Sequence, residues 1–334
     1  MAVLVTGVAG FIGSHVARVL IDRGEEVIGI DNLNDYYDPQ LKRDRLAWIG
    51  LDRFDFRQMD LSDRSGMEVL FKEPSLRQVV HLAAQAGVRY SLENPHAYAD
   101  SNLIGFLNVL EGCRSARIEH LVYASSSSVY GANARMPFSE QDAVDHPLSL
   151  YAASKKANEL MAHSYSHLYR LPCTGLRFFT VYGPWGRPDM ALFRFTRAIM
   201  AGEPITVYHH GHHRRDFTYI DDVVTGIIKV LDQPAYADTA WDPMQPDPAK
   251  SSAPWRIYNI GNTQPVLLLD YIRCIEQATG KEAILDLQPM QPGDVPDTYA
   301  DCSQLKQDFG YLPSTHVTEG VKRFVQWFLD YYRI

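Results

Sequence analysis

The chain has 334 residues, 46% of them apolar, and a formal net charge of −8. That length supports a substantial core in one large α/β unit or two closely joined lobes. The acidic balance speaks against a nucleic-acid surface, which needs a dominant basic patch, and no run approaches the roughly 18 uninterrupted apolar residues of a membrane helix.

The opening MAVLVTG passes directly into a buried-strand pattern without a basic leader or cleavage site, so a cytoplasmic protein is expected. Cys113, Cys173, Cys274 and Cys302 are widely spaced and contain no CxxC pair. They read as reduced thiols, neither a disulfide framework nor a zinc site.

The first predicted strand, residues 3–6, runs into Gly7, Gly10 and Gly13, and a helical pattern follows over 11–23. Glycines there let the backbone approach a pyrophosphate, and the helix N-terminus offers unpaired N–H groups to its charge. A second strand, 26–30, ends at Asp31, 18 residues past Gly13. A carboxylate in that position accepts bonds from both adenosine ribose hydroxyls and repels a 2′-phosphate, so NAD is favoured over NADP. The glycine spacing, G-x-x-G-x-x-G, resembles the short-chain dehydrogenase/reductase superfamily.

Further strands are predicted at 78–82, 120–124 and 172–177, with helices at 95–115 and 150–169 between them. Apolar strands alternating with amphipathic helices predict a parallel sheet wound in βαβ units. The fifth strand ends in four serines, Ser125 to Ser128, and the next helix carries Tyr151 and Lys155, four apart and hence on one face. A free tyrosine titrates near pH 10, so a phenolate at pH 7 needs about 4 kcal/mol of help. An exposed ion pair gives under about 1 kcal/mol. The pair must therefore be sheltered, with a positively charged nicotinamide assisting Lys155. A serine hydroxyl at the carboxyl end of the strand can bond the reacting oxygen and relay its proton to Tyr151.

After Gly183 the pattern loosens. Residues 232–254 form a polar, Pro-rich excursion, and helical periodicity returns at 267–279 and 318–332. His209, His210, His212 and His213 surround Gly211. They read as a solvated turn rather than a metal site, since zinc wants a fixed tetrahedral set with supporting partners. The expected architecture is a Rossmann-type doubly wound sheet over residues 1–183, with a smaller, mainly substrate-binding lobe over 184–334. Segments near 216–232 and 256–262 are expected to return to the first domain.

Taken together, the motifs resemble the extended short-chain dehydrogenases of the nucleotide-sugar epimerase and dehydratase family. Besides the glycines, serine tract, Tyr151 and Lys155, the resemblance includes Asp60-Leu61, the HLAA run from His81 to Ala84, and Asn102. It extends through Arg177 to Gly183, Arg215 to Asp222, and Pro292 to Asp294. It implies that Gly7, Gly10, Phe11, Ile12, Gly13, Asp31 and Asn32 hold NAD. Asp60 and Leu61 flank its adenine, Leu82, Ala83 and Ala84 line the cleft, and Asn102 supports the site. Ser126 matches the catalytic Ser/Thr beside Tyr151 and Lys155. Thr180, Arg215 and Asp294 match positions that hold the nucleotide sugar, and Tyr208 falls in the segment near its base.

Where the 4,6-dehydratases carry Asp-Glu and the UDP-xylose-forming decarboxylases a Glu, this chain has Ser127 and Ser128, which favours simple epimerisation. Residues 85–91 and 181–189 are most similar to the UDP-glucuronate 4-epimerases. A ring of hydroxyls from Ser126, Ser127, Ser128 and Thr180, with Arg187, would suit a hexuronate carboxylate. Arg187 could instead meet a diphosphate or stay at the surface, and Arg89 could face substrate or tie two loops together. The implied reaction is C4 epimerisation of UDP-glucuronate to UDP-galacturonate through a 4-keto intermediate with retained NAD. Alternatives are a 4-epimerase of UDP-glucose or UDP-N-acetylglucosamine, a decarboxylase, or a non-catalytic NAD-binding scaffold or redox sensor. The helices at 95–115 and 150–169 resemble a pair that forms a four-helix interface in this family, implying a homodimer.

Overall fold

The structure, a computed structural model, describes residues 1–290 and 297–334. The chain opens with β1 (Ala2–Thr6), α1 (Phe11–Asp22), β2 (Glu26–Asp31), α2 (Pro39–Ile49), β3 (Asp55–Gln58), α3 (Arg64–Leu70) and β4 (Leu76–His81). Two short helices, α4 (Tyr90–Glu93) and α5 (Pro95–Tyr98), lead through a π-helical turn (Ala99–Ile104) into α6 (Gly105–Ala116). Then come β5 (His120–Ser126), α7 (Leu150–Tyr169) and β6 (Cys173–Phe178).

The central sheet is parallel throughout and includes β10 (Trp255–Ile260), in the order β10-β6-β5-β4-β1-β2-β3. Strand order reverses between β1 and β4, whose carboxyl ends lie level, with Thr6 opposite His81. That reversal opens the crevice in which doubly wound folds bind ligands. Alternation along β1 divides the core. Val3 and Val5 pack with Val16 and Leu20 of α1 on one face, whereas Ala2 and Leu4 pack with Phe106, Val109 and Leu110 of α6 on the other.

Beyond β6 the chain forms β7 (Thr180–Tyr182), α8 (Ala191–Ala201), β8 (Pro204–Val207), β9 (Arg214–Tyr219) and α9 (Ile220–Leu231). After β10 come β11 (Pro265–Leu267), α10 (Leu268–Thr279), β12 (Ile284–Leu287), β13 (Asp297–Thr298), α11 (Ser303–Phe309) and α12 (Val317–Tyr332). A second sheet gathers β7, β11 and β13 around β9, and β8 pairs with β12. Among the described residues, no helix is long and apolar enough to cross a membrane.

The helix expected over 95–115 is broken. Asn158 of α7 donates to the Asn102 carbonyl at 2.6 Å, and the wider turn around Asn102 aims its side chain at Gln85, away from a regular helical path.

Candidate active site

A cleft of ≈ 560 Å³ runs across the carboxyl ends of the central strands. At one end the glycine loop crosses β4 closely. Gly7 has φ +72, and a Cβ added there would lie 2.8 Å from the Ala83 backbone nitrogen. A Cβ on Gly13 would come within 2.1 Å of the Gly7 carbonyl. Gly10 stands as an extended N-cap with no side-chain cap, and the first turn of α1 holds no acid, which leaves its N–H groups for an anion.

Asp31 closes β2, its carboxylate accepting from the backbone of Ala9 at 3.2 Å and Leu33 at 2.9 Å. Burial raises its pKa, opposed by Lys42 and those backbone bonds. Phe11, Ile12, Leu61, Leu82, Ala83 and Ala84 line the same stretch. Asn32 bonds Asp60 at 2.8 Å, and Ser62 donates to the other Asp60 oxygen. Burial pushes the Asp60 carboxyl up, but these bonds outweigh it and hold its pKa below the usual range. Close backbone approach, an uncapped helix start and a carboxylate on the next strand are what a dinucleotide requires, so the residues fit the cofactor that the sequence implies.

Midway along the cleft, Tyr151 and Lys155 stand on the first turns of α7, whose Ser149 accepts from Ala152 as N-cap. Lys155 Nζ donates to the Ala124 carbonyl at 2.9 Å. Burial brings the Lys155 pKa down to about 8. The Tyr151 phenol is raised by burial, and a Ser126 hydrogen bond and the charge of Arg187 pull it back. Ser126 Oγ also accepts from the Ser128 hydroxyl at 2.9 Å.

All four serines of the tract lie along the cleft, but the Ser125 hydroxyl is spent on Glu159, to which it donates at 2.6 Å in the core. Asn102 lies behind the wall, bonding Gln85 by both side-chain atoms and the Ser154 hydroxyl at 3.0 Å. It thus braces the loop after β4 against the helix that carries Tyr151.

Farther along stand Thr180, Arg187, Arg215 and Arg89. Tyr208 is not on the wall; the Arg89 guanidinium lies 5.4 Å from its ring centre. Asp294 falls outside the described residues. Among the described lining residues the carboxylates are Asp31 and Asp60, both at the glycine-loop end. The rings of His209 and His213 approach to 5.1 Å, yet no group of three or more metal-ligating side chains occurs among the described residues.

Pattern reading passed over Tyr36, Tyr37 and Lys42, which also line the cleft, and Arg45 and Asp189, which support it. The pairing of Arg187 with Asp189, two residues on in a loop, carried the one available signal.

The model of the NAD dependent epimerase/dehydratase family matches residues 3–261. A probable UDP-glucuronate 4-epimerase of Rhizobium meliloti is 49% identical over 335 residues, covering 100% of this chain and 98% of the relative. Among solved structures, the UDP-glucuronic acid 4-epimerase of Bacillus cereus, in complex with UDP-glucuronic acid and NAD, superimposes with a TM-score of 0.88 at 31% identity, over 99% of this chain and 100% of that one. The UDP-glucose 4-epimerase of Thermotoga maritima gives 0.86 at 28% identity, over 99% and 100%. A family match over most of the length, laid on a cleft with these glycines, this acid and this Tyr–Lys helix, leaves one conclusion: the chain belongs to the NAD dependent epimerase/dehydratase family.

Proposed function

We propose that this protein is a UDP-glucuronate 4-epimerase that keeps NAD bound and interconverts UDP-glucuronate and UDP-galacturonate. The observation that carries the reading is the set of groups around Tyr151: hydroxyls of Ser126, Ser127, Ser128 and Thr180, with the Arg187 guanidinium, and no carboxylate among the described residues of that part of the wall. Dehydration and decarboxylation call for an acid there, as the related subfamilies carry after the catalytic Ser/Thr. A hexuronate calls for donors.

When bound, NAD supplies the acceptor and later the donor of the C4 hydride. The glycine loop and the start of α1 would hold its pyrophosphate, and Asp31 would hold the adenosine ribose. Tyr151 removes the C4 hydroxyl proton, directly or through Ser126, and returns a proton to the C4 oxygen of the product. Lys155, fixed by the Ala124 carbonyl, favours the phenolate by its charge. The serines, Thr180 and Arg187 hold the sugar carboxylate, and Arg215 takes the diphosphate. A 4-keto uronate is a β-keto acid prone to lose CO₂. Neutral hydroxyls that grip the carboxylate hold it against that loss.

Residues 1–183, with the segments near 216–232 and 256–262, are assigned to cofactor binding, and most of 184–334 to the nucleotide sugar. Leu160, Leu168 and Tyr169 are exposed along α7, which suits a homodimer packed on α6 and α7. All four cysteines are free thiols, as a cytoplasmic enzyme would have.

Incubating the purified, NAD-loaded protein with UDP-glucuronate and no added NAD, read by NMR, tests the function. UDP-galacturonate is the expected product, and no conversion would overturn the proposal. The likeness to the T. maritima enzyme supports a second reading, epimerisation of UDP-glucose. Faster turnover of UDP-glucose in the same assay would select it.

A further inference from the structure

Arg187 does not reach the cleft as a free side chain. Its Nε donates to Asp189 Oδ1 at 3.0 Å, and its Nη2 to Oδ2 at 2.5 Å. Asp189 Oδ2 also accepts from the Tyr36 hydroxyl at 3.2 Å. Tyr36 belongs to the connection between β2 and α2, 153 residues away in sequence. Its ring is wedged between those of Tyr37 and Tyr90, at 6.1 and 4.9 Å.

The backbone beside Arg187 is fixed from the same quarter. Arg45 of α2 is fully buried and spends its guanidinium on main-chain carbonyls. It donates to Trp185 at 2.7 and 3.1 Å, to Gly186 at 3.2 Å and to Ala9 of the glycine loop at 3.1 Å. The hydroxyl of Tyr37, next to Tyr36, accepts from Arg45 at 2.6 Å. One excursion, inserted just after the strand that ends in Asp31, thus holds both the main chain and the side chain of Arg187.

A guanidinium has five N–H donors in a rigid fork. Asp189 engages Nε and Nη2, the side of the fork, and leaves donors for a second carboxylate. An arginine held in place has already lost the rotamer freedom that binding would otherwise remove.

We propose that Asp189, held by Tyr36, is a positioning residue that fixes Arg187 for the carboxylate of the sugar, so that selectivity for a uronate is set partly by the β2–α2 connection. This rests on the reading that Arg187 meets that carboxylate. The opposite role is physically distinct: a carboxylate competing for Arg187 would repel the anionic sugar, and its removal would tighten binding.

The test uses NAD-loaded enzyme and the substitutions Asp189→Asn, Asp189→Glu and Tyr36→Phe. Asp189→Asn is expected to raise KM for UDP-glucuronate about tenfold, the scale of one charge-assisted fork contact, with kcat changed less than about twofold. Tyr36→Phe should move KM the same way by less, and Asp189→Glu should restore part of the loss. Calorimetric binding of UDP-glucose and of UDP alone should be unchanged in all three. An unchanged or lowered KM for UDP-glucuronate, or equal weakening of all three ligands, overturns the proposal. Failure of the underlying reading shows elsewhere, as an Arg187→Met variant that weakens UDP-glucose and UDP as much as UDP-glucuronate, or weakens none of them.

Discussion

Lys155 Nζ and the carbonyl of Ala124 are 2.9 Å apart, which ties the reacting end of α7 to strand β5 at the residue before the serines. The bond fixes where the ammonium sits, but burial works against its charge and brings its pKa to about 8. Burial likewise favours the neutral phenol of Tyr151. Sheltering the pair therefore disfavours the charged form of each, and neighbouring cations such as Arg187 offset that cost for the phenolate.

The alkaline limb of the pH–rate profile follows. Lys155 is charged below its pKa, so its help to the phenolate is lost as pH rises through about 8. Turnover should decline above that pH. Lys155→Arg, whose cation does not titrate in this range, should be slower at pH 7 yet lack the decline. An identical alkaline limb in both proteins would assign it to another group.

Three residues beyond Lys156, Glu159 meets Arg177 of β6 in a bidentate pair, at 2.8 and 3.0 Å, with both side chains 1% exposed. Burial opposes ionisation of Glu159, but the guanidinium outweighs it and keeps the carboxyl below its ordinary pKa. Arg177→Met should lower stability by about 3 kcal/mol, because it leaves the buried Glu159 with only the Ser125 hydroxyl and the more distant Lys156, at 3.6 Å. The Arg177→Met, Glu159→Met double variant should recover much of that loss. Denaturant unfolding of these two variants and of Glu159→Met measures it, and strict additivity would remove the pair as the cause.

Legibility in the sequence followed locality. Gly7, Gly13 and Asp31 could be read because strand, turn, helix and acid succeed one another within 31 residues, and Tyr151 and Lys155 because four-residue spacing defines a helix face. The stretch after Asp31 was silent for physical reasons. In α2, Lys42 and Arg45 are buried, whereas charged residues are read as exposed because they are so seldom interior. Strand β3 has four residues, none fully buried, and offers no apolar run. The Tyr36–Asp189 contact joins residues 153 apart in sequence, and no periodicity encodes it.

The glycine loop gives a steric expectation. Gly13→Ala would place a methyl 2.1 Å from the Gly7 carbonyl, so the loop must shift. Overpacking of this kind costs about 1–3 kcal/mol, and the displaced N–H groups should hold pyrophosphate poorly. Protein carrying this substitution should emerge from purification largely without NAD and melt at a lower temperature. Full NAD content would mean that the loop relaxes without losing its grip.

Glu140 gives a stability effect with a defined sign. Its carboxylate accepts from the Asn259 N–H at 2.7 Å within a core shared with Tyr130, Phe138 and Arg177. Burial raises its pKa from 4.5 to about 7, with Asp301 adding to the rise and the Asn259 bond opposing it. Between those two values the folded protein holds a proton that the unfolded chain releases. Stability from this group is therefore complete below pH 4.5 and is lost as pH rises through about 7. Glu140→Gln keeps an acceptor for Asn259 and removes the titration. Relative to wild type, the variant should gain on the order of 3 kcal/mol between pH 5 and pH 8. Urea unfolding of both proteins at the two pH values measures the difference. A gap between them that does not change with pH would mean that Glu140 stays ionised in the fold.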